Sequence, residues 1–128
     1  MREETKYWLK FAKENLDAAN VLLESSLFNP CLQNIQQSVE KTLKALLIEH
    51  AIGLLKTHSI TELVELLAKN NFDIDITEDD CDLLDSIYLS TKYPVGSVLP
   101  DFEPDNQICI RSLEIAKMVL KDVKDKLN

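Results

Sequence analysis

The chain has 128 residues, with 22 acidic and 14 basic side chains and a formal net charge of −8. This length fits a single domain over residues 1–128, since domains usually contain about 100–150 residues. Hydrophobic residues make up 45% of the chain and charged residues 28%, which is typical of a globular protein and unlike a disordered one. The net charge argues against a protein that coats nucleic acid through a strongly basic surface.

The sequence predicts a cytoplasmic protein without a membrane segment. Its first residues are charged, and the longest apolar stretch, 45–55, is interrupted by Glu49 and His50. A membrane-spanning helix needs about 20 apolar residues. The cysteines are odd in number and widely separated, which favours reduced thiols packed as small hydrophobic groups. They are Cys31, Cys81 and Cys109.

Apolar residues recur at helical spacing along most of the chain. The first predicted helix covers Thr5 to Glu24. Asn29-Pro30 is typical of a cap followed by a first helical residue, so we expect the second helix to start there. We expect it to end near Gly53, because glycine closes helices easily. Its apolar stripe has spacings of three and four residues and consists of Leu32, Ile35, Val39, Leu43 and Leu46.

Capping patterns predict the remaining helices. Ser59-x-x-Glu62 is typical of a capping box, and Thr77-x-x-Asp80 indicates a similar start. The last helix is expected to begin near Pro104. Three long and two short helices predict an all-α fold, an antiparallel up-and-down bundle of four to five helices. The stretch from Ser90 to Pro104 lacks helical spacing and is either a functional loop or a mobile connection.

Seven acidic residues and no basic residue lie between Asp73 and Asp85. A calcium loop would need glycine at its sixth position and glutamate at its twelfth, but Glu78 and Leu84 stand there. Acidic residues are also favourable in the first turn of a helix, and we prefer that interpretation. No metal-ligand spacing, phosphate-binding loop or nucleophilic triad is present. We therefore predict no metal, no cofactor and no catalytic residues.

A set of cations with one aromatic residue is the best candidate for a ligand site. A nucleotide or phosphate would be held by positive groups and its base stacked on a ring. Solvated lysines on a helix face are the plainer interpretation and stay open. The candidate residues are Lys41, Lys44, His58, Lys92 and Tyr93.

Four segments follow one another in a recognisable order: Tyr7-Trp8 in the first helix, the Gln36-Gln37-x-x-Glu40-Lys41-x-x-Lys44 helix, Thr57-His58-Ser59-Ile60 and Thr91-Lys92-Tyr93-Pro94. Together they resemble HEPN domains (higher eukaryotes and prokaryotes nucleotide-binding). The resemblance implies a helical bundle, usually a homodimer, whose partner in small prokaryotic members is a minimal nucleotidyltransferase. It also implies a nucleotide or RNA ligand.

The chain departs from the HEPN ribonucleases, which carry an arginine followed four to six residues later by a histidine. Neither Arg2 nor Arg111 is followed by a histidine at that spacing. Lys92 stands where the family's loop has arginine, and Val95 where it has aspartate. Lysine keeps the charge but lacks the two-pronged grip of a guanidinium on phosphate.

The resemblance and the residues together leave three functions open. The first is a non-catalytic nucleotide- or substrate-binding module that acts with a minimal nucleotidyltransferase. The alternative is a divergent ribonuclease toxin of a toxin-antitoxin pair. The third is an adaptor that uses the segment 73–85 to attract a basic partner. Outside that segment 15 acidic and 14 basic residues remain, so a local positive site is compatible with the net charge.

Overall fold

We describe the fold from a computed structural model over residues 1–53, 56–92 and 103–128, with the backbone alone for 90–92. In these ranges the chain forms five helices and no strand, which confirms the predicted all-α bundle of three long and two short helices. None of them combines the length and the apolar character that a membrane crossing requires. The helices are α1 (Glu3–Glu24), α2 (Phe28–Glu49), α3 (Ile60–Lys69), α4 (Glu78–Lys92) and α5 (Asn106–Leu127).

Helix α2 is the centre of the bundle. It packs against each of the other four helices, and fourteen of its 22 residues are buried. The predicted stripe from Leu32 to Leu46 is fully or almost fully buried. Because neighbours cover α2 on several sides, some of its polar residues are drawn into the interior as well.

Helices α1 and α2 run antiparallel. The Arg2 guanidinium donates to the Ile48 carbonyl over 2.9 Å near one end of the pair, and the Cys31 thiol lies 3.3 Å from the Ala19 carbonyl at the other. Glu49 fixes the end near Arg2. Hydrogen bonds from the Arg2 amide and then from the Thr5 hydroxyl lower the pKa of the Glu49 carboxyl.

The start of α2 differs from the prediction. The helix begins at Phe28, after Leu27, with no side-chain cap. Asn29 and Pro30 lie inside its first turn, where the missing proline N–H has no intrahelical acceptor to lose. The predicted starts of α3 and α4 are confirmed, and the last helix begins two residues after Pro104. In these three helices a side chain caps the helix: Ser59, Thr77 and Asp105 accept hydrogen bonds from Glu62, Asp80 and Ile108 amides.

The end of α2 also differs. The helix stops at Glu49, and Ala51, not Gly53, takes the left-handed conformation with φ 53°. The Ile52 amide then donates to the Leu47 carbonyl over 3.0 Å, which is the Schellman closure. Ser26 and Asn71 close α1 and α3 in the same way. Serine, alanine and asparagine thus take the left-handed position that glycine usually occupies at a helix end. This is consistent with a chain that has only two glycines.

The predicted loop is shorter than expected on its N-terminal side. Helix α4 continues through residues 90–92 before ending at Lys92. Residues 93–102 lie outside the described part of the chain, and so does the candidate residue Tyr93.

Candidate functional site

Three polar residues of α2 line up on one side of the helix and point into the bundle. Gln36, Glu40 and Lys44 are spaced four residues apart, so their side chains follow one another along the helix. Their exposed fractions are 1%, 4% and 7%. Charged residues are rarely buried so deeply unless they are paired, and these are.

Glu40 is the centre of this group. Its Oε2 accepts a hydrogen bond from Lys44 Nζ at 3.0 Å, and its Oε1 lies 3.0 Å from His58 Nδ1. Gln36 Nε2 approaches the same Oε1 at 3.4 Å. Lys44 Nζ also lies 5.9 Å from the centre of the Trp8 ring, within the range of a cation–π contact. The buried carboxylate therefore has a partner on each oxygen.

His58 lies at the surface beside this buried pair. Its side chain is 53% exposed, but its ring stacks on the Tyr88 ring with centroids 4.9 Å apart and an interplanar angle of 18°. Gln36 Nε2 donates to the His58 carbonyl oxygen at 3.1 Å. Backbone, ring face and ring edge are each held by a neighbour.

The start of α3 fixes the segment that carries His58. Asp85 of α4 accepts from the Ile60 amide at 2.6 Å and from the Thr61 hydroxyl at 2.7 Å. It also accepts from the Ser59 hydroxyl at 3.1 Å. A carboxylate at this position satisfies donors at the helix N-terminus and interacts favourably with the helix dipole. This brace explains why His58 meets Tyr88, which is one turn beyond Asp85 in α4.

Two clefts have Tyr88 as a common lining residue. The first, which we call the amide cleft, has a volume of about 300 Å³ and is lined by Asn15, Gln33, Asn34, Gln36, Gln37, Lys41 and Tyr88. The second, the histidine cleft, has about 450 Å³ and is lined by Lys56, Thr57, His58, Ser59, Asp85, Tyr88 and Leu89. Each cleft combines a positive side chain with the same aromatic ring.

The amide cleft is organised by a chain of hydrogen bonds. Lys41 Nζ donates to Asn15 Oδ1 at 2.8 Å, and Asn15 Nδ2 donates to Asn34 Oδ1 at 2.9 Å. Gln37 Nε2 donates to Gln36 Oε1 at 3.0 Å. The amides are thus held in place by one another and by the lysine.

The structure brings three of the five candidate residues together, in different roles. Lys41 lines the amide cleft and His58 lines the histidine cleft. Lys44 is buried and forms an ion pair with Glu40. Lys92 is the last residue of α4. Its side chain and Tyr93 fall outside what the structure describes.

Sequence reasoning missed Gln36, Glu40, Asn15 and Tyr88 as members of the site. Gln36, Glu40 and Lys44 could have been found as a polar line at four-residue spacing beside the apolar stripe of α2. Asn15 and Tyr88 carry no such signal, because their place depends on how α1 and α4 pack against α2.

The acidic segment 73–85 contributes mainly to helix starts and helix contacts. Besides the Asp85 brace, Asp80 accepts from Arg111 Nη2 at 2.8 Å. Among the residues that the structure describes, no group of three or more acidic, histidine or cysteine side chains is placed to hold a metal.

Comparison with known proteins identifies the family. The HEPN domain model matches residues 5–126. The chain belongs to the HEPN family. No curated protein matches it.

Solved structures show the same bundle. TT1696 from Thermus thermophilus is 25% identical, with a TM-score of 0.69 over 98% of this chain and 99% of that one. ST0689, an archaeal HEPN homologue, is 21% identical, with a TM-score of 0.67 over all of both chains. A HEPN domain protein from Thermotoga maritima is 21% identical, with a TM-score of 0.70 over 94% and 97% of the two chains.

In this HEPN domain the side chains of both arginines bind other residues of the bundle. Arg2 donates to the Ile48 carbonyl, and Arg111 pairs with Asp80. The positive groups that line the clefts are lysines and a histidine instead.

Proposed function

We propose that this HEPN domain is a non-catalytic nucleotide-binding module that acts with a minimal nucleotidyltransferase. The observation that carries the proposal is the arrangement around Tyr88. Tyr88 lines both an amide-lined cleft with Lys41 and a second cleft with His58 and Lys56.

The side chains of these clefts suit the parts of a nucleotide. Asparagine and glutamine amides carry donors and acceptors that match the edges of bases. Lysine ammonium groups bind phosphate as point charges, and aromatic rings stack on bases. A volume of about 300 Å³ is at the lower end of the range for small-molecule sites.

Family membership supports the proposed nucleotidyltransferase partner and a homodimer, and the cysteines support a cytoplasmic location. Small prokaryotic HEPN members are often encoded beside a minimal nucleotidyltransferase and are usually dimeric, and Tyr7 and Phe11 expose apolar surface on α1. Three free, buried cysteines support a reducing, cytoplasmic setting.

Calorimetric titration of the protein with ATP and with a short RNA tests the proposal. We expect ATP to bind, and Lys41→Met to weaken its affinity about tenfold, the equivalent of one hydrogen bond to a charged group. Lys124→Met is the control, since Lys124 is exposed and lines neither cleft. Absence of ATP binding by the wild type, with the nucleotidyltransferase present, would contradict the proposal. Equal effects of the two substitutions would also contradict it.

A divergent ribonuclease toxin is the second candidate. The contact between Glu40 and His58 favours it, because an imidazole held by a carboxylate is a common acid–base arrangement. The missing arginine-to-histidine spacing counts against it. The same purified samples, incubated with total RNA, separate the two candidates: intact RNA supports the binding module, and cleavage that is lost in His58→Ala supports the enzyme.

A further inference from the structure

Glu40 connects the interior of the bundle to the surface of the site. Its side chain is 5% exposed, whereas that of His58 is 53% exposed. One carboxylate oxygen faces the Lys44 ammonium and the other faces His58 Nδ1, both at 3.0 Å. Burial of a carboxylate is unfavourable unless its charge and its lone pairs are satisfied. Lys44 supplies the charge, so the second oxygen remains for the histidine.

Lys44 differs from Lys41 although the two lie three residues apart. The Lys44 side chain is 8% exposed and lines neither cleft. Its ammonium is committed to Glu40 and to the face of Trp8. Lys44 is therefore placed to act on Glu40, while Lys41 lines a cleft directly.

His58 is held more firmly than its exposure suggests. Surface side chains normally sample several rotamers. Here Glu40 holds Nδ1, Tyr88 covers a ring face, and Gln36 binds the carbonyl oxygen. The two ring nitrogens are on different edges of the imidazole. Fixing Nδ1 at the buried carboxylate leaves Nε2 on the edge that faces away from it.

We propose that Glu40 is the positioning residue of this site. Its Oε1 accepts a hydrogen bond from the Nδ1–H of His58, and this directs Nε2 toward the ligand. Lys44 acts through Glu40 instead of contacting the ligand. The inference depends on the proposed function for the nature of the ligand. The orientation and tautomer of the ring are properties of the ligand-free protein.

Two double variants isolate the hydrogen bond from the charge pair. Glu40→Gln/Lys44→Met keeps an acceptor for His58, and Glu40→Leu/Lys44→Met removes it. Neither leaves a buried charge unpaired, which would be strongly destabilising. Methionine preserves a contact with the Trp8 ring. The two variants therefore share the Lys44 substitution and differ only at position 40, where glutamine carries a polar amide and leucine does not.

The readout is the nitrogen NMR spectrum of the imidazole rings at about pH 8, where histidine of ordinary pKa is neutral. The chain has two histidines, and His50, whose ring lies 4.5 Å from that of Phe72, is the internal control. In the wild type and the Gln/Met variant we expect the His58 proton on Nδ1. In the Leu/Met variant we expect that preference to be lost, with His50 unchanged.

ATP affinity provides the second readout. We expect the Leu/Met variant to bind ATP about tenfold more weakly than the Gln/Met variant, the equivalent of losing one well-placed hydrogen bond. A wild-type proton mainly on Nε2 would overturn the positioning role, and this result needs no variant to fold. An unchanged His58 tautomer in a folded Leu/Met variant would overturn it too. If the tautomers behave as expected and ATP does not bind the wild type, the positioning role stands and the proposed function fails.

Discussion

At the scale of single residues, burial decides the chemistry of the cysteines. All three are free and buried. Burial raises the pKa of each thiol, that of Cys81 to about 11 and that of Cys109, which also lies beside Cys31, to about 12. The thiolate is the reactive form, and at pH 8 these two side chains are almost entirely thiols.

We therefore expect a thiol reagent at about pH 8 to label none of the cysteines of the native protein within minutes. In a strong denaturant the same reagent should label three per chain, and this sample is the control. Absorbance of the released chromophore gives both numbers. Rapid labelling of even one thiol in native buffer would show that a cysteine is more open than the structure has it.

The candidate site also shows what residue types reveal and what they hide. Lys41 and His58 could be chosen from the sequence because positive groups near an aromatic residue indicate phosphate binding. Glu40 could not be assigned a role, since a glutamate beside a lysine on a helix usually belongs to a solvated face. Its burial results from α1 and the segment before α3 both covering this side of α2.

At the scale of elements, helix existence was predictable and helix ends were less so. The apolar spacing of α1, α2 and α5 predicted three long helices, and the capping residues Ser59 and Thr77 predicted two short ones. The predicted end of α2 is wrong, because the prediction relies on glycine, here Gly53, as the residue that closes the helix. Backbone hydrogen bonds from Ala51 and Ile52 close the helix earlier, and Ile52 packs against the hydrophobic core.

The left-handed Ala51 leads to a stability prediction. An alanine in this conformation costs about 1–2 kcal/mol, which exceeds the entropy that glycine adds to the unfolded chain. Ala51→Gly should therefore raise the free energy of unfolding by about 0.5–1 kcal/mol. Ala68→Gly is the matched control, because Ala68 is exposed within α3 and should lose about 1 kcal/mol. Urea unfolding measures both, and a loss of stability in Ala51→Gly would contradict the left-handed closure.

At the scale of the whole molecule, the net negative charge is almost entirely confined to one segment. The negative charge is concentrated in residues 73–85, where Asp85 braces α3 and Asp80 holds Arg111. The rest of the chain is nearly neutral. It supplies Lys41 to the amide cleft and Lys56 and His58 to the histidine cleft, which Asp85 also lines. The net charge of −8 thus describes one segment of the protein and does not oppose a local site for phosphate.

The central position of α2 predicts that the bundle unfolds as one unit. Each other helix packs against α2, so loss of α2 packing should release all of them together. Far-UV circular dichroism follows all the helices, while fluorescence of Trp8, the single tryptophan, follows the contact between α1 and Lys44 of α2. The two probes should give the same urea midpoint.

Ile35→Ala makes this prediction quantitative. Ile35 is fully buried in α2, so the substitution should lower the free energy of unfolding by about 2–5 kcal/mol and shift both probes equally. Met118→Ala on α5, whose side chain is half exposed, should change it by less than about 0.5 kcal/mol. If Trp8 fluorescence changed at lower urea than the circular dichroism, α1 would leave the bundle first. The Glu40–Lys44 pair, which depends on α1 for its cover, would then be lost before the rest of the fold.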